Sequence, residues 1–319
     1  MIFVPRPAAP PADVAQALAR VVKKFGKTEL ECARDYYTQN PPPKKAYPFA
    51  RYKEREVCLW LDGLYKEKCA YCESIYSAVD SRDIEHFRPK AGVTEAPGHP
   101  GYWWLAADWS NLLPSCPPCN QWRCQTIFEI GMTLEQLEKA RLAAPKGRSG
   151  KANAFPMRAP VNWVTGEAGD LGSEDPLLIH PSVRDPSDHL QWVFDWRKED
   201  GYLWEAAPLL VAVRPRQIQG SDDPYGKASI GIYGLNRDGL LRARMAQVKL
   251  LQRAARIVVR TLKDLAEAAG PRADLQVRLQ EDRAALLAFT ASDQPYAGMA
   301  KAFVELFNEE LTRRASDAI

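Results

Sequence analysis

Long hydrophobic runs are missing from these 319 residues; Leu209 to Val213 is typical of the longest. A membrane-crossing helix needs roughly 20 apolar residues in succession, so a helical membrane span is excluded. Met1 to Pro11 lacks the basic start and apolar centre of a secretory leader. Internal repeats and low-complexity tracts are absent, which excludes a solenoid array. A strong charge of either sign is absent too: 43 Lys and Arg against 40 Asp and Glu leave a net +3. Any nucleic-acid partner must therefore be gripped by local basic patches rather than by the global balance. Histidine is scarce, at four. His99, His180 and His189 fall in loop or turn contexts and read as structural, which leaves His86.

The length fits about two domains, and 46% hydrophobic with 26% charged residues is an ordinary globular composition. Seven cysteines are an odd count, and four of them have metal-ligand spacing. That pattern fits a reducing cytoplasm better than secretion. Cys32, Cys58 and Cys124 remain as buried or free thiols.

Four phrases organise the chain: Cys69-Ala-Tyr-Cys72-Glu73, Asp83-Ile-Glu85-His86-Phe-Arg-Pro-Lys90, Trp109-Ser-Asn111 and Cys116-Pro-Pro-Cys119-Asn120. Two residues apart, a cysteine pair can turn both sulfurs onto one ion. Cys69, Cys72, Cys116 and Cys119 therefore predict one structural Zn²⁺. Between the pairs lies a carboxylate–histidine dyad. Hydrolysing a phosphodiester needs an activated water, charge stabilisation on the phosphate and help for the leaving oxygen. His86 is the candidate base, since imidazole titrates near neutrality. Glu85 and Asn120 offer hard oxygen ligands suited to a catalytic Mg²⁺ or Mn²⁺, and Asp83, on the same strand face as Glu85, could support that ion through water.

The order Cys-x2-Cys, Glu-His, Asn, Cys-x2-Cys-Asn resembles the HNH (ββα-metal) endonucleases. The wording "CAYCE", "IEHFRPK", "YWWLAADWSNLLPSC" and "GKANAFP" narrows the resemblance to the HNH subunit of Septu anti-phage systems and its retron-associated relatives. It is strongest over residues 52 to 160, with weaker echoes at 174–190 and 228–244. It implies a metal-dependent nuclease acting on DNA in a prokaryotic anti-phage system, with an ATPase partner that senses infection. It also implies that Asn111 holds the loop between two strands and so aims His86, alongside Asn120 in the catalytic set. A basic residue follows the last Cys-Asn in that family. Either Arg123 or Lys151 fills the position, Lys151 being preferred because the phrase continues from it. Arg88 and Lys90 join them as candidate nucleic-acid contacts. The final motif position is asparagine rather than the common histidine, which leaves a single hard cation as the catalytic ion. Two rival readings stay open: a non-catalytic zinc module that binds DNA or protein, and a stand-alone restriction-type nuclease. RNA stays open as an alternative substrate.

The expected fold is α+β: an HNH core with a four-cysteine site embedded in a mainly helical chain. We divide it into a helical arm (1–58), the core (59–160, with an insertion at 121–150) and a mostly helical region (161–319). Apolar spacing predicts helices over Asp13–Phe25, Tyr52–Tyr65, Arg237–Ala269 (capped by Asn236 or Asp238), Asp274–Thr290 and Gly298–Arg314. Ile84–Phe87 is expected as a strand, with the active-site helix starting soon after the second cysteine pair. Thr133 with Gln136 reads as a capping box for one helix in the insertion, before a flexible Pro145–Gly150. Gln191–Trp204 reads as a hairpin about Asp200-Gly201. On the long helix, Arg242, Lys249, Arg253, Arg256, Arg260 and Lys263 fall within a wedge of about 80°, beside an apolar face of Leu241, Val248, Ala255, Val259 and Leu262.

Overall fold

The computed structural model describes every residue except 42, 44, 78–81, 145–146, 197–200, 207 and 318–319. In the arm, α1 (Ala12–Leu18) buries Val14, Ala17 and Leu18. It stops seven residues short of the expected Phe25. Val22 bridges to Lys27 across Gly26, whose φ of +63° reverses the chain and leaves Val21 and Phe25 exposed. An unforeseen helix, α2 (Glu29–Tyr37), follows. Its Thr28 hydroxyl accepts from the Glu31 amide at 3.3 Å while the Glu31 carboxylate accepts from the Thr28 amide at 2.7 Å, a reciprocal cap. Next, α3 (Arg55–Tyr65) buries Val57, Leu61 and Tyr65. It ends at Lys66 and Glu67, both with positive φ, which turn the chain into Cys69.

β1 (Asp83–His86) pairs antiparallel with β2 (Leu112–Ser115), Glu85 facing Leu113 and His86 facing Leu112. No described helix starts directly after the second cysteine pair, where one was expected: a strand comes next there, and a single turn, α4 (Pro117–Asn120), forms inside the pair. Pro117 occupies its first position, where the missing amide hydrogen costs nothing. The insertion is a small hairpin, β3 (Arg123–Gln125) with β4 (Gly147–Ser149), carrying α5 (Leu134–Leu142) capped by Thr133 and Gln136. Residues 147–149 of the expected flexible loop are thus strand, and Pro145 and Lys146 lie outside the described residues. Phe128 and Leu137 of the insertion bury against Leu210, Ala212 and Leu241, which fastens it to the C-terminal half.

The hairpin after the core has a different second strand from the one expected. β5 (Leu190–Trp196) pairs with β6 (Pro208–Pro215), whose apolar run is buried. Asp200 of the expected turn lies outside the described residues, and Trp204 is a core residue at 0% exposure. After the short pair β7 (Gln217–Ile218) and β8 (Ser221–Asp222) come α6 (Pro224–Tyr233), α7 (Asp238–Glu267), α8 (Ala273–Ala288) and α9 (Ala297–Asp317). Arg237, with no side-chain cap bond, precedes α7. Asn236 is instead committed to Val213, accepting from its amide at 2.9 Å and donating to its carbonyl at 2.7 Å. Asp238 accepts from Arg141 at 2.8 Å and pairs with Arg242. Along α7 the six cations are exposed, Leu241, Val248, Ala255 and Val259 are buried, and Leu262 is half-buried. One buried apolar cluster runs from Met1 through the cysteines to Phe307, drawing on all three segments of the chain.

Gly150 marks where the insertion returns to the core. At its φ of +117°, an added Cβ would lie 1.9 Å from the Gln121 carbonyl oxygen. Gly150→Ala is therefore expected to destabilise the protein by about 1–3 kcal/mol of backbone strain and about 1–3 kcal/mol more from overlap. Urea unfolding measures this; a loss below about 0.5 kcal/mol, the usual range of a surface change, would contradict it.

Candidate metal centre and catalytic wall

The turn after α3 and the single turn α4 bring both cysteine pairs together. The sulfurs of Cys69, Cys72, Cys116 and Cys119 all lie within 4.8 Å of one another, buried and without a disulfide. Zinc bound tetrahedrally by thiolates at about 2.3 Å has sulfur–sulfur edges of about 3.8 Å; Cys72 and Cys116 stand 3.7 Å apart. The cluster is thus compatible with Zn²⁺ in number, chemistry and spacing. Backbone bonds hold the ligands in place: the Cys69 amide donates to Ser74, the Ala70 amide to Pro114 on β2, and the Glu73 amide back to Cys69. Glu73 takes a positive φ of 63° to close this turn. Its buried carboxylate meets the Met1 ammonium at 2.6 Å, and that contact, with Lys68, holds it below the usual carboxylate range against the opposing effect of burial.

A cation covers the sulfurs. The Arg237 guanidinium donates to Cys119 at 3.3 Å, Cys72 at 3.5 Å and Cys116 at 3.6 Å. Burial works against its charge, but the surrounding cysteine sulfurs outweigh that and keep it firmly protonated.

β1 supplies the second part of the site. Asp83, Glu85, His86, Lys90 and Asn120 line one cavity of about 660 Å³, with Tyr52, Lys53, Gln121 and Asn153 among the other walls. His86 is 4% exposed and packs edge-on to Tyr52 at 4.5 Å. Its Nε2 lies 3.0 Å from the Ala106 carbonyl oxygen. A carbonyl only accepts, so Nε2 carries the hydrogen and Nδ1 the lone pair. Lys90 Nζ stands 3.3 Å from that Nδ1. Burial, then the Lys90 charge, holds His86 well below its ordinary value, so the ring is neutral at pH 7. Asn111 is buried beside it: its Oδ1 accepts from the Arg88 amide at 2.7 Å, and its Nδ2 donates to the carbonyls of Arg88 and Leu105 at 3.1 and 3.2 Å. These bonds tie the segment after His86 to the one before β2.

The other candidates divide into two groups. Asp83 accepts from Asn120 at 2.9 Å and from Gln121 at 3.0 Å, so strand and helical turn meet through that carboxylate. Glu85 faces Lys151 at 2.7 Å, and the same Nζ donates to the His86 carbonyl at 2.9 Å. Lys151 has 0% exposure and is thus inside the protein, away from any surface a nucleic acid could touch. Burial raises the Glu85 carboxyl above its ordinary value while Lys151 pulls the other way. Arg88 is engaged by Glu174 at 2.8 Å, whereas Arg123 is exposed on β3 beside Gln121. Among the described residues, the four cysteines are the single group of three or more His, Cys, Asp and Glu side chains gathered closely enough for one ion.

Removing one member of a buried ion pair leaves the other uncompensated, at a cost of about 3–5 kcal/mol. Lys151→Met is expected to lose about that much in urea unfolding, and Lys151→Met with Glu85→Leu to recover most of it. No recovery in the double variant would show that the pair is not coupled.

Sequence reading missed Tyr52, Gln121 and Asn153 as cavity walls and Arg237 as the cover over the sulfurs. The only signal for Arg237 was its place in the phrase at 228–244; its contact spans 118 residues from Cys119.

No family model matches the chain, and no solved structure matches it significantly. No described helix is long and apolar enough to cross a membrane. The chain is similar to the Septu protein PtuB of Bacillus mycoides (strain KBAB4), at 31% identity over 230 residues. The alignment covers 70% of this chain and 61% of that protein, so the chain spans less than two thirds of its relative's length. The chain thus resembles a Septu protein over 70% of its own length, and its own four cysteines close around one point.

Proposed function

We propose that the chain is a metal-dependent endonuclease of the HNH type that hydrolyses DNA as the effector of an anti-phage system, under the control of an ATPase partner. The observation that carries this reading is the state of His86: a buried, neutral imidazole with Nε2 fixed by the Ala106 carbonyl and Nδ1 beside Lys90, in the wall of a cavity that Asp83 and Asn120 also line. On this reading His86 takes a proton from water through Nδ1 once Lys90, 3.3 Å from that nitrogen in the structure, turns to the phosphate. Asn111 acts as a positioning residue, holding both ends of the connection around His86. Lys90, with Lys53 on the same rim, meets the negative charge of the phosphate. Asp83 and Asn120 are the hard oxygen donors that would hold Mg²⁺ or Mn²⁺, while Glu85, the third oxygen donor of that wall, is engaged by Lys151. Bound there, such an ion would polarise the phosphate and neutralise the leaving oxygen.

The test is cleavage of supercoiled plasmid by the purified chain, alone and with the proposed ATPase partner, with Mg²⁺, with Mn²⁺ and with chelator. Metal-dependent nicking or linearisation is the expected result. DNA binding without cleavage under every metal condition would favour the non-catalytic zinc module.

A further inference from the structure

We propose that Arg237 is part of the metal centre: its guanidinium is the countercharge and the hydrogen-bond donor that allow four buried thiolates to hold one zinc ion. This rests on the zinc reading of the four cysteines. Four thiolates around Zn²⁺ leave about two excess negative charges. A buried charge is costly unless it is paired and hydrogen-bonded. Arg237 supplies both, since it is 8% exposed and reaches sulfurs of both cysteine pairs. Its remaining bonds hold it in that pose, Nη1 donating to the carbonyls of Tyr233 and Gly234 at 3.3 and 3.1 Å. A planar fork with donors on separate nitrogens can serve several sulfurs at once, which a lysine ammonium on a flexible stem cannot do equally well.

The neighbours of Arg237 explain how a residue so distant in sequence arrives there. Asn236 is locked to Val213 of β6, and the Asp238 amide donates to the Thr126 carbonyl of the insertion at 2.9 Å. The Arg244 guanidinium donates to the Leu235 carbonyl at 2.7 Å and lies over Trp192 at 4.8 Å. Each residue of the run Leu235 to Asp238 thus fixes the segment, and Arg237 alone points at the sulfurs. The metal centre is built from three stretches of chain, not two.

The experiment uses the full chain and compares wild type, Arg237→Met, Arg237→Lys and Asn236→Ala. Two quantities are measured: zinc transfer to a chromogenic chelator, and the sulfur-to-cobalt charge-transfer band of the Co²⁺-substituted protein. Outer-sphere partners of a metal centre typically contribute 10- to 100-fold in affinity. Arg237→Met is therefore expected to hold zinc about 10- to 100-fold more weakly, with Arg237→Lys in between. Hydrogen bonds to sulfur lower its donor strength, so the band should move to lower energy in Arg237→Met. Asn236→Ala loosens the same segment without touching sulfur; it should lower the melting temperature and leave the band in place. A band and zinc transfer unchanged in Arg237→Met would overturn the proposal. If that variant does not fold, Arg237→Lys decides, and a lysine variant identical to wild type in both readouts would overturn it equally. A wild-type chain that purifies without metal and takes up neither Zn²⁺ nor Co²⁺ would instead remove the zinc reading itself.

Discussion

His86→Ala is expected to lose cleavage by about 10²- to 10⁴-fold, the usual cost of removing a general base, while metal content and overall fold stay close to wild type. The separation follows from position: His86 is on β1, its ring bonded to Ala106 and packed on Tyr52, and it supplies no sulfur-site ligand. Asp83→Ala and Asn120→Ala should behave differently, raising the Mg²⁺ concentration needed for activity and responding in part to excess metal. Excess metal should do nothing for His86→Ala. The pH profile adds a sign. Burial and Lys90 depress the His86 value, so the neutral ring persists below an ordinary histidine's pH of about 6.5, and the acid limb of the rate profile should lie below that point. A His86→Ala protein cutting DNA at the wild-type rate, with the ATPase present, would end the proposed mechanism.

Cys116→Ser is expected to have the larger effect on stability. Structural zinc contributes about 10–16 kcal/mol in small zinc-binding peptides, comparable with the whole net stability of a typical domain, about 5–15 kcal/mol. Cys116 lies in the main apolar cluster beside β2, so a failed centre is felt throughout that core. Elemental analysis should give about one zinc per chain for the wild type and much less for the variant. Even a loss of about 5 kcal/mol would lower the melting temperature by about 10–20 °C. A serine variant that kept both its zinc and its melting temperature would rule out the four-cysteine site.

Local chemistry was legible in the sequence, and long-range closure was not. The cysteine spacing announced a four-sulfur cluster because two residues between ligands is a constraint of the turn itself. The Thr133 and Gln136 cap and the charged and apolar faces of α7 were readable for the same reason: each is settled within a few residues. Thr28 and Glu31 carry the same capping signature, and α2 could have been found from it. The partner of β5 was not readable, because the buried run Leu210 to Val213 has no alternation to fix its pairing and the register is set by what packs on it. The cap of α7 was misread because Asn236 had a stronger use in β6. Lys151 was read as a candidate nucleic-acid contact because the sequence showed its charge but not its burial opposite Glu85.

The Arg237 contact also sets an order of events during synthesis. The chain leaves the ribosome N-terminus first, and 118 residues separate Cys119 from Arg237. At roughly 5–20 residues per second, that interval lasts on the order of 10 s. During it all four thiols exist without the guanidinium that covers them. A nascent chain therefore carries an incomplete centre until most of its length has emerged, and the protein is assembled last at the point on which its fold depends.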